Sequence, residues 1–181
     1  MNRYAAFLRG IMPSNPNMRN EKLRAVFEGL GFENVTTLLS SGNVTFHSKK
    51  SDAARLESQI QRALNAELGI PGGTLIRTYE QLRELVDADP FAGLTHCRET
   101  YLTVTFVRDP SAGLPDEAVG KMDAIRLVGF DAPASALLSV IDNTNPSTTN
   151  FMQVVEKFYG KDNITTRTFL TVQKALKKLE S

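Results

Sequence analysis

Apolar residues recur at two different spacings in the first eighty residues, and each spacing predicts one type of secondary structure. The continuous apolar run at residues 4–8 is typical of a strand that is buried on both faces. Two later segments have apolar residues at helical spacing, one at Leu23, Val26, Phe27 and Leu30 and one at Ala53, Leu56, Ile60 and Leu64. Three β-rich segments complete the series, at residues 34–39, 43–48 and 74–79.

These elements follow one another as strand, helix, strand, strand, helix, strand. That order is the split βαβ arrangement, so residues 1–80 are expected to form a ferredoxin-like subdomain. Residues 81–181 are expected to form a second α+β subdomain with C-terminal helices, because strands are predicted at 101–107, 124–128 and 136–141. The second half repeats the order of the first, although its residues show no visible repeat, and a duplicated fold is a hypothesis.

We therefore predict an α+β fold. It combines a ferredoxin-like (split βαβ) N-terminal half with a related βαββα C-terminal half, and the sheets are mostly antiparallel. No linker separates the halves in the sequence, so they are expected to form one compact body.

The composition is ordinary for a globular protein, with 41% hydrophobic and 23% charged residues among 181. No stretch approaches the roughly 20 apolar residues of a membrane-spanning helix, and the first residues lack the cleavage site of a signal peptide. One cysteine, Cys97, allows no internal disulfide, which fits a reducing compartment. These features predict a cytoplasmic protein that does not insert into a membrane.

The motifs of known cofactor and metal sites are missing from the sequence. There is no P-loop, Gly-x-Gly-x-x-Gly motif, His-Glu-x-x-His motif, EF-hand loop or Gly-x-Ser-x-Gly elbow. One cysteine and two histidines are too few for a typical structural zinc site. The sequence predicts no metal and no cofactor, and it leaves open whether the protein is an enzyme.

The distribution of charge bears on the choice of partner. A net charge of +1 provides no overall field that attracts nucleic acid, and the central strands offer few aromatic side chains for base stacking. Nucleic acid is therefore not the expected partner. Basic residues are nevertheless concentrated near the two ends of the chain. This leaves two interpretations, a solvated surface and a basic patch.

Two of the β-rich segments are joined by small or polar residues, Ser41, Gly42 and Asn43. In a ferredoxin-like sheet the end of the first strand lies beside the start of the third, so Arg9 and Gly10 are expected next to this turn. Residues 72–73, which precede the fourth strand, are expected at the same edge. Backbone N–H groups, an arginine and small residues together are typical of an anion site. The alternative is an ordinary hairpin turn, because glycine and asparagine tolerate positive φ.

Another arginine, Arg167, precedes the last predicted helix. Thr165 and Thr166 are candidate N-caps of that helix, which would place Arg167 in its first turn. The helix dipole disfavours a cation there, so a partner is expected. Two partners of Arg167 are consistent with the sequence: a bound anion, and a carboxylate of the acidic middle of the chain in a salt bridge.

The segments YAAFLRGI and MRNEKLRAVFEGLGFENVTTLLSSGNVTF resemble the family known as domain of unknown function 1697. The tail NITTRTFLTVQKALKKL is similar to the closing segment of that family, which has a Thr-Arg pair before a Thr-Val helix. Matches at opposite ends imply full-length membership. The resemblance implies an α+β protein of two related subdomains, and it brings no established activity. The matching positions include four polar residues, Arg9, Ser41, Asn43 and Arg167, which favours the ligand-site interpretation.

The chain departs from the family pattern in two places. Many members have Asn-Val-Gly-Gly after Arg-Gly-Ile, whereas residues 12–15 here are Met-Pro-Ser-Asn. Members often have Asn-Trp after the Thr-Arg pair, whereas this chain has Thr168 and Phe169. Because the glycines are absent from the first loop, a ligand contact that other members make there is not carried over.

The sequence thus predicts a protein that binds a small anionic or phosphorylated ligand at the edge formed by the end of the first strand and the turn at 41–43. The expected ligand-binding residues are Arg9, Gly10, Ser41, Gly42, Asn43 and Arg167. One alternative is an enzyme that acts on a phosphorylated metabolite. Another is a protein–protein interaction module that uses the segregated charge. The oligomeric state does not follow from the sequence.

Overall fold

The computed structural model of the chain describes residues 1–146 and 149–181. The strands are β1 (Asn2–Leu8), β2 (Glu33–Leu38), β3 (Asn43–Ser48), β4 (Thr74–Thr78), β5 (Tyr101–Val107), β6 (Ile125–Asp131), β7 (Ala136–Ile141) and β8 (Ile164–Thr168). The helices are α1 (Asn20–Gly29), α2 (Ala53–Leu68), α3 (Tyr79–Asp87), α4 (Asp116–Val119), α5 (Thr149–Tyr159) and α6 (Phe169–Glu180). None of the helices in these two ranges is both long and apolar enough to cross a membrane.

The strands form two four-stranded antiparallel sheets. The first has the order β2-β3-β1-β4 and the second the order β6-β7-β5-β8. The α+β class and the ferredoxin-like order are confirmed. The chain divides into two compact units, unit 1 with residues 1–83 and 173–181, and unit 2 with residues 84–172. That both halves form one compact body stays a prediction.

The core of unit 1 lies between one face of its sheet and the helices α1 and α2. Alternate residues of a strand point to opposite faces, and the inward set of β1 is Tyr4, Ala6 and Leu8. The ring of Tyr4 stacks on Phe46 of β3 at 5.4 Å between centroids. Phe27 of α1 packs edge-on against the same Phe46 ring, also at 5.4 Å. The core of unit 1 is therefore centred on aromatic side chains.

Helix α2 also protects the open edge of β4. The backbone N–H of Ile76 donates to Glu57 Oε1 at 2.8 Å, and the Thr74 hydroxyl donates to Gln61 Oε1 at 2.8 Å. Unpaired N–H groups on an edge strand invite pairing with other chains, and native proteins cover them. The buried carboxylate of Glu57 does so here for the middle of β4.

The last turns of α6 are attached to unit 1 through Arg3. Its guanidinium lies 3.6 Å from the centroid of the Tyr79 ring, and its Nη1 donates to the carbonyl of Leu179 at 3.0 Å. A cation at the C-terminal end of a helix interacts favourably with the helix dipole. Arg3 therefore joins β1, α3 and the end of α6 within this unit.

The two units share more than their strand order. Tyr4 pairs with Thr78 across β1 and β4, and Thr103 pairs with Thr168 across β5 and β8. When the two units are aligned by these two pairs, Phe7-Leu8-Arg9 corresponds to Phe106-Val107-Arg108. In the same alignment Arg77-Thr78 corresponds to Arg167-Thr168. The structure thus shows the same topology twice, and its strand register identifies a short residue-level repeat between the two units.

Candidate functional site

The predicted juxtaposition at the end of β1 is present in unit 1. Phe7 pairs with Asn43, and the N–H of Leu8 donates to the carbonyl of Gly42 at 2.8 Å. On the other side, the N–H of Arg9 donates to the carbonyl of Gly73 at 2.8 Å. Three loops therefore meet where β1 ends: residues 9–19, 39–42 and 69–73. We call this set of loops the Arg9 edge.

Two glycines make this close approach possible. A Cβ at Gly72 would lie 2.1 Å from the carbonyl oxygen of Arg9, which is far inside contact distance. Gly42 has a φ of +81°, and a Cβ there would lie 2.5 Å from Cγ1 of Ile11. Both positions need glycine for packing, and Gly42 also needs it for its backbone conformation. Gly42 therefore has a structural explanation that requires no ligand.

Asn43 stabilises the turn between β2 and β3 through hydrogen bonds of its side chain. The residue is 2% exposed, and its Nδ2 donates to the carbonyl of Leu38 and to Oγ of Ser41, both at 3.0 Å. An amide nitrogen has two N–H bonds, and both are used in these contacts. Asn43 therefore positions Ser41 instead of presenting its donors to a ligand.

The start of α1 is attached to the same turn. Nδ2 of Asn20 donates to the carbonyl of Leu39 at 2.7 Å. Because this bond links the first residue of α1 to the loop between β2 and β3, the first helix and the turn at 39–42 are held together.

The exposed groups of the Arg9 edge carry only positive charge. Gly10 and Ser41 are exposed, Arg9 is half-buried, and Arg19 is exposed beside the first residue of α1. The three loops contain no aspartate or glutamate, and Arg9 and Arg19 are their only charged residues. All charged side chains within these three loops are therefore basic, although the whole chain has a net charge of only +1.

Arg167 occupies a different environment from the one expected. It lies in β8, within unit 2, and α6 begins only after Thr168, whose hydroxyl accepts from the N–H of Thr171 at 3.2 Å. The expectation that Arg167 lies in the first turn of the helix is wrong, because the chain stays extended through Thr168. Its Nη1 donates to Thr165 Oγ1 and to the carbonyl of Thr166, both at 2.9 Å. Burial lowers the pKa of Arg167 to about 10.

The internal repeat gives Arg167 a structural explanation. The equivalent residue of unit 1 is Arg77 in β4, whose Nη1 donates to the carbonyl of Ile76 at 2.7 Å. An arginine that bonds the preceding carbonyl thus recurs on the last strand of each sheet. The other predicted ligand-binding residues lie in unit 1, so the structure assigns Arg167 to a separate unit.

Both histidines make contacts with their neighbours. Nδ1 of His47 lies 3.0 Å from Nδ2 of Asn34, and Nδ1 of His96 accepts from the N–H of Leu102 at 3.2 Å. Burial lowers the pKa of His47, with a further contribution from the charge of Arg3. Neither residue belongs to the Arg9 edge. Across residues 1–146 and 149–181, no group of three or more histidine, cysteine or carboxylate side chains is placed to hold a metal ion.

Two further arginines were not singled out from the sequence. Arg19 joins Arg9 because the loop after β1 returns to the edge before α1 begins. Arg108 occupies in unit 2 the place of Arg9, and its N–H donates to the carbonyl of Asn163 at 2.8 Å, as that of Arg9 does to Gly73. The sequence signal was the short segment Phe-Val-Arg at 106–108, which parallels Phe-Leu-Arg at 7–9.

Comparison with known proteins agrees with this architecture. Among solved structures, the conserved bacterial protein SP0830 from Streptococcus pneumoniae is similar, with a TM-score of 0.71 and 21% sequence identity over 98% of each chain. At that identity the likeness shows the fold alone. No curated protein sequence matches the chain. The model of the family described as "Protein of unknown function (DUF1697)" matches residues 1–126, which is more than half of the chain. The chain therefore belongs to the DUF1697 family.

Proposed function

We propose that the protein binds a small anionic ligand, such as inorganic phosphate or a phosphate ester, at the Arg9 edge. The observation that carries this proposal is the meeting of three loops without a carboxylate, in which Arg9 and Arg19 are the only charged residues. Two arginines in loops that contain no acid attract an anion, and a guanidinium can bind it through two parallel hydrogen bonds.

The residues of this edge have different roles in the proposal. Arg9 pairs with the anion, and the exposed Gly10 and Ser41 offer a backbone N–H and a hydroxyl. Gly42 and Asn43 act indirectly, because they hold the turn that presents Ser41. Arg167 is not used in the proposal, because its Nη1 already donates to Thr165 Oγ1 and to the Thr166 carbonyl within unit 2. The six predicted residues are thus reduced to three contacting residues and two positioning residues, with Arg19 added.

Binding is proposed in preference to catalysis. General acid–base chemistry needs a group such as histidine, glutamate or aspartate within hydrogen-bond reach of the substrate. The three loops of the Arg9 edge contain none of these residue types. The alternative of an enzyme that acts on a phosphorylated metabolite therefore gains no support from this edge.

The proposal is tested by thermal unfolding of the wild type in the presence of inorganic phosphate, pyrophosphate and adenosine monophosphate. Sodium chloride at equal ionic strength is the control for salt. A ligand at about 100 times its Kd stabilises the folded protein by about 2.7 kcal/mol, which is readily measured. We expect at least one of the three anions to raise the Tm beyond the chloride control.

A matched pair of variants locates the effect. Arg9→Gln removes the charge from the edge, and Arg55→Gln removes one from the surface of α2, where the Arg55 side chain is 88% exposed. The shift in Tm should disappear in the first variant and persist in the second. Equal shifts in both variants, or no shift with any of the anions in the wild type, would contradict the proposal.

A further inference from the structure

The two units differ sharply at the centre of the sheet face that their helices cover. In unit 1 this place is filled by Tyr4, which pairs with Phe46 across β1 and β3. In unit 2 the matching pair across β5 and β7 is Thr103 and Ser139. Two aromatic rings in one unit thus correspond to two short hydroxyl side chains in the other.

The exchange of apolar for hydroxyl residues extends to the neighbouring strand. Ala6 and Ile76 pair across β1 and β4, whereas the matching pair in unit 2 is Thr105 and Thr166. The hydroxyls of Thr105 and Thr166 lie 2.9 Å apart, and that of Thr103 lies 2.6 Å from the Ser139 hydroxyl. Unit 2 therefore has four hydroxyl side chains where unit 1 has two aromatic and two aliphatic ones.

The helical cover of this face is also smaller in unit 2. Between its first two strands, unit 1 has the ten-residue helix α1, which contributes Leu23, Val26 and Phe27 to the core. The corresponding connection in unit 2 contains α4, a helix of four residues. The short hydroxyl side chains of β5, β7 and β8 leave space on this face of the sheet that Tyr4 and Phe46 fill in unit 1.

A cleft of about 430 Å³ occupies part of that space. The residues that line it include Thr103 and Thr166 of the sheet, Phe151 and Met152 of α5, Tyr101, and the loop at 143–146. This volume is within the range of about 300–1,000 Å³ that is typical of small-molecule sites. Among the residues that the structure describes, none of those lining the cleft is charged.

We propose that this cleft binds an uncharged small molecule that combines an apolar ring with several hydrogen-bonding groups, as a nucleoside does. The Thr103 hydroxyl donates to the Ser139 carbonyl at 3.1 Å and keeps an acceptor position, and the Thr166 hydroxyl keeps positions beyond its contact with Thr105, because a hydroxyl has one donor and two acceptor positions. Asn143 and Asn145 add amide groups, while Tyr101 and Phe151 provide apolar surface. A charged ligand would lose its hydration without gaining a counter-ion from these residues, so the cleft selects against it. This site is independent of the Arg9 edge.

The test is ligand-observed NMR with the wild-type protein and a panel of adenosine, uridine and uncharged heteroaromatic fragments of similar size. We expect saturation transfer to at least one member of the panel. The double variant Thr103→Phe/Ser139→Phe, which places rings where unit 1 has them, should abolish that signal. Both hydroxyls of the pair are removed together, so neither is left without the other, and the Ser139 carbonyl loses the bond that it accepts from Thr103.

Further variants distinguish loss of the site from loss of the fold. Met152→Trp narrows the cleft from its wall and should weaken binding at least fivefold, with a cooperative thermal transition retained. Thr37→Val changes a half-buried threonine of β2 in unit 1 and should leave binding unchanged. The proposal is overturned if no panel member binds the wild type. It is also overturned if binding persists in the folded double variant and in Met152→Trp.

Discussion

Replacing Gly72 by alanine is expected to destabilise unit 1 by about 2–4 kcal/mol. The added Cβ would lie 2.1 Å from the carbonyl oxygen of Arg9, whereas real Cβ contacts are essentially never shorter than 3.0 Å. The two segments must therefore separate by about 0.9 Å, the difference between these distances. That movement breaks the neighbouring 2.8 Å bond from the N–H of Arg9 to Gly73, which costs about 1 kcal/mol. Overpacking adds about 1–3 kcal/mol.

Two other glycines of the same unit provide matched controls. Gly10 has a φ of +74°, and a Cβ added to it would meet no atom within 4 Å. Gly10→Ala therefore tests backbone strain alone, and we expect it to lower the free energy of unfolding by about 1–2 kcal/mol. Gly29 is the last residue of α1, also has open space, and has no positive φ. Gly29→Ala should therefore stabilise the protein, by about 0.5–1 kcal/mol.

Urea denaturation of the wild type and the three variants measures these differences. The expected order of midpoints is Gly29→Ala highest, then wild type, Gly10→Ala and Gly72→Ala, with similar m-values throughout. If Gly72→Ala is no more destabilising than Gly10→Ala, the close approach of Arg9 and Gly72 does not exist in solution. The description of the Arg9 edge would then be wrong as well.

Three further predictions concern single residues. Glu57→Ala removes the acceptor of the Ile76 N–H and should cost about 1.5–3 kcal/mol in urea denaturation, whereas Glu57→Gln, which keeps an acceptor oxygen, should cost less. Because the pKa of His47 is lowered in the folded protein, the unfolded chain binds the proton more readily, so stability should fall as the pH decreases below 6.5. His47→Gln should reduce that dependence, and an unchanged pH profile of the unfolding free energy would refute the assignment. Thr168→Ala should cost about 1 kcal/mol through loss of the cap on the Thr171 N–H, whereas an effect no larger than that of Thr37→Val would argue against the cap.

The local pattern of the sequence was sufficient for most elements of unit 1. Period-two and helical spacings of apolar residues reflect which side chains a folded chain must bury, so they indicate strands and helices directly. The capping box at the start of α3 is an example, because the reciprocal bonds of Thr78 and Gln81, at 2.9 and 3.1 Å, connect residues only three apart. The order of the elements predicts that β1 pairs with β3 in antiparallel orientation. This pairing places Arg9 next to the turn at 41–43, as the structure shows.

The direction of polar side chains could not be predicted in the same way. Asn43 is a suitable turn residue and a suitable ligand contact, and only the position of the Leu38 carbonyl decides that its amide points inward. Arg167 could begin a helix or end a strand, and pairing with Val104, sixty-three residues earlier, keeps it extended. Such choices depend on partners that the local pattern does not contain.

The α+β class, the ferredoxin-like order of the first half and the composition of the loops at the Arg9 edge could be read from the amino-acid sequence. These follow from short-range periodicity and from residue type, both of which are readable along the chain. The contact of Thr103 with Ser139, thirty-six residues away, depends on how the strands pair, as does the stacking of Tyr4 on Phe46 at the matching place in the other unit. The reason is that strand register joins distant segments, and the match between the two units becomes visible only when both registers are known.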